Sequence, residues 1–380
     1  MLKIGYVVNA DVHDKTQWSG TIYNLYNILS KNYEVEPILL ETKGLDKYYY
    51  IKQRVKQKLT KKSSTTMMVS YSKLKSKKLN NILQQSGEKY DVLFFPANSV
   101  AAAFVNTNIP IVYLSDATFH VMIDYYLFNL DESSIENGNM VEKRALENAN
   151  QIIYASDWAK NDAITYYGIN ENKINVLPFG ANLIDKYNKK SFEPNKEMNL
   201  LFVGVEWERK GADVALECLD YLNQHSKSKY KLTIIGLENP GTINTDNVNF
   251  VGFLNKNNQE DYNKMIKYYQ ESDIFILPTR AECAGIVFSE ASMYGLPIVT
   301  YDTGGIQSYV EEGVNGFRLQ LDKRGKDFAE KIEYICNEDT YLTFSKNSRN
   351  KYENSLNWDK WLETCDEVIK KCLMIKRGNQ

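Results

Sequence analysis

The chain is poor in the residues that build covalent or metal frameworks. Its 380 residues include five cysteines, Cys218, Cys283, Cys336, Cys365 and Cys372, an odd number with no C-x-x-C pair. That pattern speaks against a disulfide scaffold or a zinc site and fits reduced thiols in a cytoplasmic protein. No apolar run approaches the length of about 18 residues that a membrane-spanning helix needs. The opening Met1-Leu2-Lys3-Ile4-Gly5-Tyr6-Val7-Val8-Asn9-Ala10 is too short and too quickly polar for a secretory signal, and reads as a first strand. A net charge of −2 excludes nothing, but it hides an asymmetry: Lys52 to Lys78 holds ten Lys or Arg and no Asp or Glu. The 27 tyrosines, like the many Lys and Asn, are assigned to biased base composition rather than to chemistry.

What is present is an ordinary globular make-up, 43% hydrophobic and 25% charged. The chain exceeds what one core usually supports, so two domains are expected. Short β-rich runs alternate with amphipathic segments of helix length. Strands are expected at Lys3–Val8, Glu34–Leu40, Asp91–Phe95, Pro110–Leu114, Gln151–Ala155 and Asn175–Leu177, and helices at Thr21–Ser30, Asn98–Val105, Val141–Asn148 and Asp157–Tyr167. A polar stretch from Leu183 to Met198, containing Pro194, reads as a linker. Beyond it come strands at Leu200–Val205, Lys231–Gly236, Asn249–Val251, Asp273–Leu277 and Ile298–Tyr301. Helices are expected there at Gly211–Asn223, Gln259–Gln270, Val287–Tyr294 and Trp358–Ile375. The pattern predicts an α/β protein with two doubly wound, Rossmann-like domains, residues 1–182 and 198–355, facing across a cleft. Ligands of such sheets bind outside the carboxyl ends of the strands.

Two strand-to-helix turns carry the chemistry. In Leu201-Phe202-Val203-Gly204-Val205-Glu206-Trp207-Glu208-Arg209-Lys210-Gly211, Gly204 allows the turn and Gly211 lets the next helix start close by. Arg209 and Lys210 would then lie at a helix amino terminus, which already favours anions, and could neutralise a diphosphate. The alternative is a solvated Arg-Lys pair. This stretch is neither a Walker loop nor a G-x-G-x-x-G fingerprint, so ATPase and NAD readings lose support.

The second turn runs from Pro278 to Pro297 and holds Glu282 and Glu290, eight residues apart. With 27 Glu in the chain, about two such spacings arise by chance, and a second pair, Glu330 and Glu338, lacks this context. The surroundings carry the weight. Gly285 permits close approach, and the N–H groups of Ala284, Gly285, Ile286 and Val287 would face phosphate or sugar oxygens. Glu290 offers two acceptor oxygens to neighbouring ribose hydroxyls, and Glu282 can meet sugar hydroxyls from the loop. The competing reading is a buried glutamate capping the helix. Asp302-Thr303-Gly304-Gly305 forms a third turn of the same kind.

In order and spacing over roughly residues 150 to 320, these stretches resemble the carboxyl-terminal part of bacterial-type retaining glycosyltransferases of family 4, which have the GT-B fold. The pieces are FVGVEWERKG, LPTRAECAGIVFSEASMYGLPIV, DTGG, Val314-Asn315-Gly316-Phe317 and the run Ile174 to Asn182. The resemblance implies that Arg209 and Lys210 bind the donor diphosphate, Glu282 the donor sugar and Glu290 the ribose. Gly236 and the turn Phe253-Leu254 would border the base. The last helix, 356–380, would return to the first domain, making Trp358 and Trp361 packing residues. One departure is Ala284, where the family commonly has Phe.

The first domain matches less closely. Trp18-Ser19-Gly20-Thr21 falls where the family has a small loop beside the phosphates and acceptor. In Ser115-Asp116-Ala117-Thr118-Phe119-His120 the family's His-Asp becomes Ser115-Asp116, and His120 could stand in for the missing histidine. Lys52–Lys78 reads either as a solvated mobile loop or as a surface that draws the chain to anionic lipid or an acidic polymer. Nucleic acid is set aside, because no base-stacking pattern accompanies the charge.

The expected function is therefore metal-independent sugar transfer, with no cofactor beyond a nucleotide sugar (UDP favoured over GDP). The acceptor would be a hydroxyl of a glycan, glycolipid or glycoprotein, and the location cytoplasmic or peripheral on the inner membrane face. The alternatives are a sugar-nucleotide epimerase or phosphorylase, and a non-catalytic partner of another transferase.

Overall fold

The computed structural model describes residues 1–40, 43–87, 89–193, 196–243 and 246–378. Pro194 lies outside them. The chain divides into two compact units. The first comprises Met1–Gln17, Thr21–Leu177 and the last helix from Leu362 on; the second comprises Trp18–Gly20 and Pro178–Trp361.

The first unit holds one parallel sheet of six strands: β1 (Lys3–Val8), β2 (Glu34–Leu39), β3 (Val92–Pro96), β4 (Ile111–Ser115), β5 (Gln151–Tyr154) and β6 (Ile174–Val176), in the order β2-β1-β3-β4-β5-β6. Every residue of β3, β4 and β5 is buried. That is the requirement for a parallel sheet covered on both faces, and it explains why these strands read as continuous apolar runs. Helix Trp358–Gly378 closes on this unit beyond Leu362, where Tyr33 Oη and Asn32 Nδ2 donate to the two oxygens of Asp366 at 2.7 Å each.

The second unit repeats the plan with β7 (Met198–Val203), β8 (Tyr230–Ile235), β9 (Val248–Gly252), β10 (Ile274–Leu277), β11 (Ile298–Tyr301) and β12 (Gly316–Leu319), all parallel, in the order β12-β11-β10-β7-β8-β9. Both sheets reverse direction once. The chain leaves β7 towards β8 and β9, then returns to place β10 on the other side of β7. The loops after β7 and β10 thus flank the switch point, where doubly wound sheets open a crevice.

Four of the expected segments differ in the structure. Lys52–Lys78 is mostly helical: all of it but residues 61–68 falls in helices Lys43–Thr60 and Val69–Ser86. In the second helix Tyr71, Leu79 and Leu83 are buried at spacings of four and eight, a periodicity obscured by the interleaved lysines. The stretch after Leu183 is not a free linker. The Ile184 N–H donates to Tyr262 Oη at 2.9 Å, and Lys190 Nζ donates to the carbonyls of Gln270 and Ser272 at the end of helix Gln259–Glu271. Its polarity serves to tie down another element's carbonyls. Helix 98–105 shrinks to the single turn Ser99–Ala102, and helix Glu132–Asn148 begins nine residues before the expected Val141.

Glu142 lies in that helix, wholly enclosed, and accepts from Tyr113 Oη at 3.2 Å. Burial pushes its carboxyl up to about 7 from an ordinary 4.5. The native state thus holds its proton more tightly than the unfolded chain, so stability falls as pH rises through that window, by on the order of 3 kcal/mol. Glu142→Gln should flatten the urea-unfolding free energy between these two pH values; an unchanged slope would show that another group titrates there.

Candidate functional site

The loop after β7 leads into the one-turn helix Trp207–Lys210, and helix Ala212–His225 follows immediately. Arg209 and Lys210 therefore close a short helix rather than open a long one, which corrects the expected placement. Gly211 makes the junction. It sits at φ +74°, and a Cβ there would lie 2.0 Å from the Pro278 carbonyl oxygen, so only glycine fits between the β7 and β10 loops. Gly204 serves space rather than turn geometry: a Cβ on it would strike the Lys210 stem, and the left-handed residue in this loop is Glu206, at φ 76°. Gly236 (φ +102°) packs against Gly204 in the same way, 2.4 Å from its carbonyl oxygen to an added Cβ.

Three turns are stitched together by backbone bonds. The Arg280 N–H donates to Arg209 O at 2.7 Å, and the Gly305 N–H donates to Glu282 O at 3.0 Å. Arg280 also grips Asp213 in a two-pronged pair at 2.8 and 3.1 Å, a geometry well matched to the guanidinium fork. Asp302, the acid of the third turn, pairs with Arg318 at 2.7 Å.

Within this frame Lys210 Nζ contacts Glu282 Oε2, and both side chains are about nine-tenths buried. Arg209 lies beside them. Its Nε and Nη2 hold Glu206 at 3.0 and 2.6 Å, while Nη1 donates to Ala281 O at 3.2 Å. The Arg209 contact holds the Glu206 carboxyl below its usual range.

Glu290 stands in helix Ile286–Met293 and is 1% exposed. Lys256 Nζ donates to its Oε1 at 2.7 Å and Tyr269 Oη to its Oε2 at 2.9 Å. Both oxygens thus keep one occupant each, leaving each a further lone pair. Phe253 is exposed and Leu254 buried, in the turn that leads to Lys256. Ala284 is buried, and its carbonyl accepts from the Ile286 N–H at 2.8 Å. Ile286 therefore spends its N–H inside the turn, contrary to the expectation that it faces a ligand. The room opened by Gly285 is filled by the Phe288 ring, 2.1 Å from an added Cβ.

Gly20 clusters with this second unit. Asn182 Nδ2 donates to Ser19 O at 2.9 Å, and Asn182 Oδ1 accepts from Trp358 Nε1 at 3.0 Å, so Trp358 is a packing residue, as Trp361 is. Asp116 and His120 belong to the first unit, after β4. His120 Nδ1 lies 2.7 Å from Asp162 Oδ1, and its ring stacks on Tyr166 at 3.5 Å between centroids. Thr118 Oγ1 contacts the other Asp162 oxygen. Asp116 follows the last residue of β4 and is half-buried.

Sequence reasoning missed Lys256, Tyr269, Glu206 and Asp162. Lys256 lies two residues past the named Phe253-Leu254, and Tyr269 was among the tyrosines set aside as compositional. Among the described residues, no three His, Cys, Asp or Glu side chains gather as a metal set. A cavity of about 690 Å³ lined by Asn199, Lys231, Asn249 and Tyr268 lies by the amino ends of β7 and β8, and none of the candidate residues lines it.

Comparison with known proteins bears on the family and the fold. Residues 21–184 match the family described as Glycosyltransferase Family 4, and residues 184–353 that described as Glycosyl transferases group 1. The capsular polysaccharide biosynthesis glycosyltransferase CapM of Staphylococcus aureus is 27% identical over 231 residues, 57% of this chain and 60% of that protein. The matched stretch spans 52–60% of the length of such curated relatives. Among solved structures, a glycosyltransferase from Rickettsia africae ESF-5 superposes with a TM-score of 0.67 at 16% identity over 98% of each chain. Anabaena HepE in complex with UDP gives 0.62 at 16% identity, covering 97% of this chain and all of that one. At such identities the likeness establishes the fold.

Removing one partner of a buried pair strands the other. Lys210→Met should cost about 3–5 kcal/mol of unfolding free energy. Adding Glu282→Gln should recover most of that loss, because the double change leaves no lone charge inside. Urea titrations of the single and double variants read this directly, and additive losses would contradict the pairing.

Proposed function

We propose that this chain, which belongs to glycosyltransferase family 4 and has the GT-B fold, moves a sugar from a nucleoside diphosphate sugar to a hydroxyl acceptor in polysaccharide, glycolipid or glycoprotein synthesis. One observation carries the reading. A cation pair, Arg209-Lys210, and two buried carboxylates, Glu282 and Glu290, are fixed around the switch point of one sheet. Rossmann-like sheets hold nucleotides at that place.

In this proposal the diphosphate lies against Arg209 and Lys210, which offset its charge without calling on a metal ion. Lys210, already held by Glu282, would gain a second anion as charge builds on the departing phosphate. Fixed charges aimed at developing charge lower a barrier most, because they need no reorganisation during the reaction. Glu282 accepts from hydroxyls of the transferred sugar, and Glu290 from the ribose, sharing oxygens now taken by Lys256 and Tyr269. Transfer retains configuration on one face of the sugar. The bond from the anomeric carbon to phosphate oxygen breaks, the bond to the acceptor oxygen forms, and the acceptor proton passes to the departing phosphate. Asp116 and His120 are proposed to serve the acceptor, with Asp162 orienting the His120 ring. Gly20, Gly204 and Gly236 clear space near the phosphates and base, and Phe253, Leu254, Ala284, Gly285, Ile286 and Val287 shape the donor surface.

UDP is the first donor nucleotide to try, supported by the shared fold of a UDP-bound neighbour. A thermal-shift screen across UDP, GDP and ADP sugars should give a rise for one base; no rise with any of them would overturn the reading. With the base known, Glu290→Ala should weaken nucleotide binding roughly 10- to 150-fold, the loss of a charged hydrogen bond. Glu282→Ala should chiefly lower turnover. Equal nucleotide affinity in Glu290→Ala and wild type would remove Glu290 from the ribose.

A further inference from the structure

Helix Lys43–Thr60 in the first unit is built the wrong way round for a surface helix. At 3.6 residues per turn, Tyr48, Ile51, Val55 and Leu59 form one stripe, and they are 59%, 49%, 52% and 80% exposed. Among the described side chains, the face turned to the protein carries one buried aromatic, Tyr49, and otherwise polar groups. There Tyr49 packs on Tyr71 and donates to Ser70 Oγ at 3.1 Å, Gln53 is partly buried, and Lys56 Nζ pairs with Asp131 at 2.7 Å. Turning a half-buried Lys inward while aliphatic side chains face water forgoes much of the driving force for docking a helix. Something must compensate on the outer side.

The charges beside the stripe indicate what that is. Lys47, Arg54 and Lys58 line one edge and Lys52 the other, all exposed, and no acidic residue occurs from Lys52 to Lys78. An apolar stripe between basic margins matches the boundary between anionic headgroups and acyl chains, with the helix lying in the plane of the surface. An acidic polymer would use the charges but leave Leu59 and Val55 in water. No described helix is long and apolar enough to cross a membrane.

We propose that helix Lys43–Thr60 docks the protein on an anionic lipid surface, with Ile51, Val55 and Leu59 entering the acyl boundary and Lys47, Lys52, Arg54 and Lys58 meeting the headgroups. This goes beyond the sugar-transfer reading and does not depend on it, since none of these residues belongs to the candidate site.

Flotation of the full chain with vesicles tests it. Wild type should float with phosphatidylcholine–phosphatidylglycerol vesicles and not with phosphatidylcholine alone. Val55→Ser/Leu59→Ser should lower binding about tenfold or more, and Lys52→Gln/Arg54→Gln/Lys58→Gln roughly a hundredfold, each with unchanged circular dichroism because the sites are exposed. In a separate variant, Leu59→Trp should shift indole emission to the blue on the mixed vesicles only. Failure of wild type to float would overturn the proposal, as would equal flotation of wild type and Val55→Ser/Leu59→Ser. Polyglutamate binding that matches vesicle binding and ignores the serine substitutions would assign the surface to an acidic polymer instead. Sugar-nucleotide thermal shifts should be the same in all these variants, so the two readings fail separately.

Discussion

Two carboxylates buried beside a sheet must be neutralised where water cannot do it, and the carboxyl-terminal unit is arranged around that need. Leaving Glu282 or Glu290 alone in a packed interior would cost more than most single contacts return. Each therefore has a lysine, Lys210 from the β7 loop and Lys256 from the turn after β9. Those lysines come from different turns, so the pairs fix where the turns lie. Gly211 and Gly236 then have to be glycine, because the backbones they separate approach too closely for a Cβ. Backbone bonds from Arg280 to Arg209 and from Gly305 to Glu282 complete the frame. In the proposed function these same charges engage a nucleoside diphosphate sugar, so binding would exchange partners within a frame that is already built.

The fold was legible where one rule governed. Strands buried on both faces show as short apolar runs, and β1 and β11 fall on the expected residues. Turn glycines and flanking charges marked the loops after β7 and β10. The rest was hidden for identifiable reasons. Lys256 and Tyr269 reach Glu290 from 34 and 21 residues away, and no local pattern announces a partner at that separation. Asp162 meets His120 across 42 residues in the same way. The stretch after Leu183 looked like a linker because its lysines and asparagines are polar, yet that polarity caps the end of helix Gln259–Glu271. Gly204 stands where a turn glycine is expected but makes room for a lysine stem, a distinction that local sequence does not carry.

The basic stretch near the amino terminus shows the converse. Its charge was plain in the sequence, but charge alone fitted both a loop and a surface. The exposure of Ile51, Val55 and Leu59 is what the proposal of a lipid-docking helix adds to that charge.

The central claim is that the Lys210–Glu282 pair is the working core of a sugar-transfer site and more than a structural tie. The double variant Lys210→Met/Glu282→Gln isolates it, because it keeps shape while removing both charges. Release of nucleoside diphosphate from the donor that stabilises the wild type should be measured for both proteins. The account predicts a folded double variant with turnover lowered at least a hundredfold, the scale of a lost electrostatic group. A folded double variant that turns over at the wild-type rate would contradict it.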